Sequence, residues 1–267
     1  MNLSVRRIAP GRAEGVALVA RVPFSFVGGS DPMTGEVLDE ASGVRGERLG
    51  RRAFAFPHGK GSTVGSYTIY GLAKRGLGPS AILMERADGV VAVGAVLAGI
   101  PMVDRVDLGA LLTGDRLSVD ADGGRVDLPD VDSRDVVTVF VRNRGRLLIV
   151  RRSEAVGSFR GKWSGISGYL EGREDPEDRA RKEVSEETGI RDARLVAAGV
   201  PVISRDRGTA YVVRPFLFDV STRRVRLDWE NVESRWIRID EIDAFDAVPR
   251  LEDVMRSALA GREVRKG

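Results

Sequence analysis

The sequence predicts two domains in tandem, each mixing strands and helices, over residues 1–129 and 136–262, with a short linker at 130–135. Three observations predict this. The chain has 267 residues, long for one hydrophobic core and comfortable for two. Its halves differ in texture: the first is Gly-rich, with short β-like runs and turns such as Gly28-Gly29-Ser30-Asp31-Pro32, and the second opens on the β-branched run Val136–Val141. Between them lies Leu128-Pro129-Asp130-Val131-Asp132-Ser133-Arg134-Asp135, polar and proline-containing.

Composition bounds the chemistry. Hydrophobic residues make up 42% and charged residues 30%, an ordinary globular balance. The net charge is +3 with both signs interspersed, and no basic stripe carries aromatics, so no nucleic-acid partner is expected. The absence of cysteine excludes disulfides, thiolate nucleophiles and a self-held iron–sulfur cluster. With His58 the single histidine, a His-rich metal site is excluded too. The longest apolar stretch, residues 89 to 102 or 103, is glycine-interrupted and too short to span a bilayer. The first residues lack the apolar core of a signal peptide, so no membrane partner and a cytoplasmic location are expected. The charged tail, Gly261 to Gly267, is expected to fray.

In the first half, the strand-like run Ala53-Phe54-Ala55-Phe56 leads into Pro57-His58-Gly59-Lys60-Gly61-Ser62-Thr63-Val64-Gly65-Ser66-Tyr67. A helix follows, with apolar positions at Val64, Tyr67, Ile69-Tyr70 and Leu72-Ala73. A Gly-rich turn opening a helix presents free N–H groups, which suits an anion. It is not a Walker loop, because Gly61 separates Lys60 from Ser62. From spacing alone Ser62 also reads as a capping serine.

In the second half, Val136–Val141, a turn at Asn143-Arg144-Gly145 and Leu147–Val150 form a hairpin. Further on, Asp175 is a good N-cap, Pro176 suits the first helical position and Gly189 is a natural stop, so Pro176 to Thr188 should be a helix. Glu183, Glu186 and Glu187 share one face of it. Like charges at that spacing repel by a few tenths of a kcal/mol per pair. A hard divalent cation would offset this.

The stretch from Gly168 to Ile190 resembles the Nudix box, with Gly168, Glu174, Glu183, Val184, Glu186, Glu187, Gly189 and Ile190 in register. It departs at Lys182, where the family has an arginine that helps to orient a box glutamate. The resemblance extends to Gly161–Glu171 and to Leu227–Glu230 with Ser234–Ile237, read as strands. It implies an α/β/α sandwich around a mixed sheet and magnesium- or manganese-dependent cleavage of a diphosphate linkage. Glu183, Glu186 and Glu187 would then be the metal ligands, and Glu183, Glu186 or a distal glutamate would activate water. Arg151, Arg152 and Arg160 are candidates to meet substrate phosphates. Trp163 and Trp229 are expected in the core, with Tyr169 open between core packing and base stacking.

The run from Ile8 to about Leu128 resembles the swivelling small subunit of the aconitase-X group, the archaeal phosphomevalonate dehydratase type. The matching pieces include Pro10–Gly15, Ser25–Pro32, Gly59–Tyr67, Ala92–Asp104 and Thr113–Asp115. This implies a swivelling β/β/α domain in which Ser62 accepts a proton during elimination of water. A hydroxyl needs positive charge and N–H donors to do so, a role open to Lys60 and the turn of Gly59, Gly61, Thr63 and Gly65. A large partner subunit would hold the [4Fe-4S] cluster, and small phosphorylated metabolites would be the ligands. Related hydroxyproline-type dehydratases share the motifs. Three readings stand: a bifunctional fusion, a Nudix hydrolase carrying a binding module, and a dehydratase subunit carrying a regulatory Nudix domain.

Overall fold

The computed structural model describes residues 1–263, side chains to 262. The tail expected to fray lies, from residue 264 onward, outside the described residues. The chain divides into two compact units, Met1–Asp132 and Ser133–Gly267.

The first unit is built on an eight-stranded mixed sheet. Its strands are β1 (Asn2–Ser4), β2 (Arg6–Ala9), β3 (Arg12–Val19), β4 (Arg52–Phe56), β5 (Ala81–Met84), β6 (Met102–Asp104), β7 (Arg116–Asp120) and β8 (Arg125–Asp127). They lie in the order β1-β8-β7-β3-β4-β5-β6-β2. The central β3, β4, β5 and β6 are parallel. Helices supply the crossovers: α2 (Gly65–Lys74) links β4 to β5 and α3 (Gly89–Ala98) links β5 to β6, while a kinked turn, α1 (Phe26–Gly29), precedes them. A parallel strand covered on both faces reads as a continuous apolar run. That is why Ala53-Phe54-Ala55-Phe56 and Ala81–Met84 are buried throughout. Phe24, Phe26, Phe54 and Phe56 pack edge-on or tilted with centroids 4.9–6.1 Å apart, and Ile69, Leu72, Val91 and Ala95 of the two helices close over them.

The helix after the Gly-rich loop begins at Gly65, and Val64 occupies the cap position. Ser62 therefore does not cap the helix itself. Its Oγ accepts from Val64 N–H at 3.3 Å, a turn ahead of the helix. Of the expected apolar face only Ile69 and Leu72 are buried; Val64, Tyr67 and Tyr70 are exposed.

The second unit continues with β9 (Asp132–Asn143), β10 (Arg146–Arg152), β11 (Trp163–Ser164), β12 (Ile166–Tyr169), α4 (Pro176–Thr188), β13 (Arg194–Ala198), β14 (Val202–Asp206), β15 (Thr209–Asp219), β16 (Asn231–Ile237), α5 (Leu251–Leu259) and β17 (Arg262–Glu263). The ladders β9–β12, β9–β10, β10–β16, β13–β15 and β14–β15 are antiparallel, and Trp163 bridges Ala247 in parallel, so the sheet is mixed. The hairpin turn falls at Arg144 and Gly145, both at positive φ (48° and 76°). Side-chain alternation along β9 builds two cores. Val137, Val139 and Val141 face Ala180 and Val184 of α4. Phe140 faces Val254, Met255 and Ala258 of α5. This is an α/β/α sandwich.

Two local expectations differ. Most of the stretch read as a linker is strand: β9 starts at Asp132, and Asp135 is fixed by Leu170 N–H and by the Arg214 guanidinium. Of the last two strand-like runs only Ser234–Ile237 forms, within β16; Leu227–Glu230 is loop, which leaves Trp229 66% exposed rather than in the core.

Candidate functional site

In the first unit the turn from Gly59 to Gly65 is held at both ends. Lys60 N–H donates to Phe24 O (3.0 Å), and Gly59 N–H donates to Asp88 Oδ2 (2.9 Å). Asp88 also caps α3, its Oδ1 accepting from Val90 and Val91 N–H. A Cβ at position 59 would lie 2.0 Å from Asp88 Oδ2, so a larger residue there would displace the Asp88 carboxylate. Together with α2 and α3 the turn walls a cavity of about 540 Å³, lined by Gly59 to Thr63, Gly65 and Asp88. Ser62 is exposed at its edge. Lys60, expected to lend positive charge to Ser62, pairs with Asp39 at 3.2 Å. Asp39 lies in the glycine-rich first forty residues, where no sequence pattern linked it to the loop.

In the second unit α4 forms over the residues its capping signals predict. Asp175 accepts from Glu177 and Asp178 N–H, Pro176 opens the helix and Gly189 ends it at φ 71°. Glu183 and Glu187 are buried, whereas Glu186 is exposed. Glu187 Oε1 accepts from Ser167 N–H (3.0 Å) and its Oε2 from Asn231 Nδ2 (2.6 Å). Burial, then the neighbouring Glu183 charge, push the Glu187 carboxyl well above the usual range, and these two hydrogen bonds oppose the shift. Burial also raises the Glu183 carboxyl, opposed by Arg179 and reinforced by Glu186 and Glu230. The Arg179 guanidinium pairs with Glu183 Oε1 without hydrogen-bond geometry and stands 3.9 Å from Glu174.

Glu183, Arg179, Arg152 and Glu230 form the charged end of a cleft of about 310 Å³. Its other walls are largely apolar, with Val136, Val213, Val254, Phe159 and Tyr211, while Trp229 stands at it exposed. Successive residues of a strand face opposite ways. Accordingly Arg152 enters the cleft, its Nε donating to Ser158 O (3.0 Å), whereas Arg151 turns away and pairs with Glu233 (3.2 Å). Arg160 donates to Val156 O (2.9 Å) and does not line the cleft. Trp163 packs in the core against Phe245, with centroids 5.1 Å apart. Residues that sequence reading missed are Asn231, Glu230, Phe159 and Arg179. Only Arg179 carried a signal, its i, i+4 spacing to Glu183.

The three expected metal ligands do not stand as a preassembled cluster. Among the described residues no group of three His, Cys, Asp or Glu is placed to hold a metal. Glu183 pairs with Arg179, and Glu187 accepts from Ser167 N–H and Asn231 Nδ2. The donor set still fits a hard divalent cation. Glu183 Oε1 is buried with no hydrogen bond, Glu187 adjoins it, and Glu186 lies on the same helix face.

An α/β/α sandwich with this carboxylate helix, preceded by a swivel-type sheet domain, defines a two-domain fusion. Residues 2–128 match the aconitase X swivel domain family and residues 132–258 match the NUDIX domain family. The phosphomevalonate dehydratase small subunit of Thermococcus sibiricus is 48% identical over 130 residues, covering 49% of this chain and 100% of that protein. That of Pyrococcus furiosus is 50% identical over 128 residues, covering 48% and 96%. The crystal structure of Thermococcus kodakaraensis aconitase X (holo-form) shares 48% identity and a TM-score of 0.47, covering 48% of this chain and 98% of that one. The chain belongs, through its first half, to the aconitase X swivel-domain family, and its second half is a NUDIX domain.

Proposed function

We propose that the chain is bifunctional, a dehydratase small subunit joined to a diphosphate hydrolase. The observation that carries the first activity is identity of about half over the whole length of phosphomevalonate dehydratase small subunits. On this reading the first unit, together with a large subunit holding a [4Fe-4S] cluster, eliminates water from (R)-5-phosphomevalonate. Such a cluster, when bound in that subunit, would supply a Lewis acid for the departing hydroxyl. Ser62 Oγ takes the proton from the carbon next to the carboxylate, and the N–H groups of the Gly59–Gly65 turn stabilise negative charge. Alone the unit is inert as a dehydratase.

The second activity rests on the buried Glu183 at the charged end of an amphipathic cleft, with the buried Glu187 adjoining it. Glu183, Glu186 and Glu187 would hold magnesium, which when bound neutralises phosphate charge and acidifies a water. Arg152 orients the diphosphate at the charged end, and the apolar walls exclude water around the group it carries. Glu183 or Glu186 takes the proton of the attacking water. The experiment is anaerobic co-expression with a large subunit, followed by assays of phosphomevalonate dehydration and of magnesium-dependent hydrolysis of diphosphate compounds. Stable association with both activities supports the fusion. Hydrolysis with no association leaves the first unit a binding module, and dehydration without hydrolysis leaves the second unit a regulatory one.

A further inference from the structure

Position 182, where the Nudix pattern carries its orienting arginine, is a lysine here. Lys182 is exposed on the flank of α4, and among the described residues it makes no ion pair. One turn before Glu183, Arg179 lies largely buried, with 19% of its side chain exposed. It reaches two glutamates of the box at once, Glu183 by Nη2 and Glu174 by Nη1 at 3.9 Å. On the opposite side of Glu183 lies the bare backbone of Gly168, where a Cβ would stand 1.9 Å from Oε1. The carboxylate is thus pinned between a strand and a planar cation. Arg179 Nε is itself buried without a partner at the cleft, so the guanidinium is not there to satisfy its own hydrogen bonds.

We propose that Arg179 is the positioning residue of the carboxylate helix, supplying from one turn upstream the guanidinium that position 182 lacks. The inference rests on the hydrolase reading above. A planar fork spans two carboxylates in a way that an ammonium does not, so charge alone will not replace it. The same fork competes with a cation for Glu183 Oε1. Removing it therefore loosens the geometry needed for turnover while it strengthens cation binding, two effects of opposite sign. A residue that merely supported the fold would weaken both.

The test is made on the full chain with four variants, Arg179→Ala, Arg179→Lys, Lys182→Ala and the double variant Arg179→Ala/Lys182→Arg. Turnover of a diphosphate substrate and Mn2+ affinity by electron paramagnetic resonance are read for each. Arg179→Ala should lower kcat by about tenfold or more and tighten Mn2+ binding several-fold. Arg179→Lys should lose as much turnover, Lys182→Ala should be unchanged, and the double variant should recover to within about threefold of wild type. Wild-type turnover in Arg179→Lys, or weaker Mn2+ binding in Arg179→Ala, overturns the proposal. Should the wild-type chain hydrolyse nothing, the hydrolase reading fails. The Mn2+ series then still decides on Arg179, since an affinity unmoved by Arg179→Ala rejects it.

Discussion

Gly168 and Glu183 meet at a contact where any side chain on the glycine would displace the carboxylate. The carboxylate oxygen occupies the space where a Cβ at position 168 would project. The first glycine of the box is thereby explained by close approach of strand β12 to helix α4, with no need of an unusual backbone angle. Gly168→Ala should push Glu183 off its position and lower hydrolysis on the order of 100-fold, the scale expected for an ångström of misplacement. Turnover of a purified, folded variant measures it, and activity within a few-fold of wild type would show that the carboxylate has room to spare.

Glu187 combines the deepest burial of the three box carboxylates with a raised affinity for its proton. Because the folded-state pKa lies above the unfolded one, this group favours folding below the ordinary carboxylate pKa, and the contribution is lost as pH rises through the raised value. Melting without added metal should therefore show Tm falling with rising pH across that window. Glu187→Gln, an uncharged analogue of the protonated side chain, should flatten the slope, raise Tm at neutral pH and abolish metal-dependent hydrolysis. A variant that keeps the wild-type slope assigns the titration to another group.

Arg151 and Arg152 are neighbours in sequence with opposite fates. Arg152→Ala should raise KM for a diphosphate substrate about tenfold or more, since a charged hydrogen bond of roughly 1.5–3 kcal/mol is lost. Arg151→Ala removes a half-exposed ion pair with Glu233 and should change KM less than about twofold. Equal effects from the two would mean that β10 presents its other face to the substrate.

Ser62→Ala should leave melting and hydrolysis at wild-type values and remove dehydration in the reconstituted complex. Dehydration at the normal rate would reduce Ser62 to its contact with Val64 N–H.

Asp88 serves a loop and a helix with one carboxylate. Asp88→Ala should cost about 1–2 kcal/mol from the lost cap, visible in denaturant unfolding. It should also weaken dehydration in the complex, because Gly59 N–H loses its anchor.

The sequence was most legible where structure is local. The caps of α4, the hairpin turn at Arg144 and the alternation along β9 are each set by residues within a few positions of one another. What escaped were partnerships across distance. Lys60 is partnered by Asp39, 21 residues earlier in the chain, a pairing no local pattern announced. Asn231 lies 44 residues from the Glu187 it holds, and no periodicity points from one to the other. Trp229 was assigned to the core by size, whereas a loop carries it to the rim of the cleft. Ion pairs, side-chain clamps and loop paths of this kind depend on which strands become neighbours, and that is decided by packing of the whole sheet.

The Met1 ammonium donates to Leu128 O (2.9 Å) and Val131 O (2.7 Å), and β1 lies beside β8. Residues 1–4 and 125–131 thus lie together at one edge of the first unit's sheet. Adjacent first and last strands of this kind let a module be joined to another sequence without threading a connector across its surface, which makes the junction after β8 topologically simple.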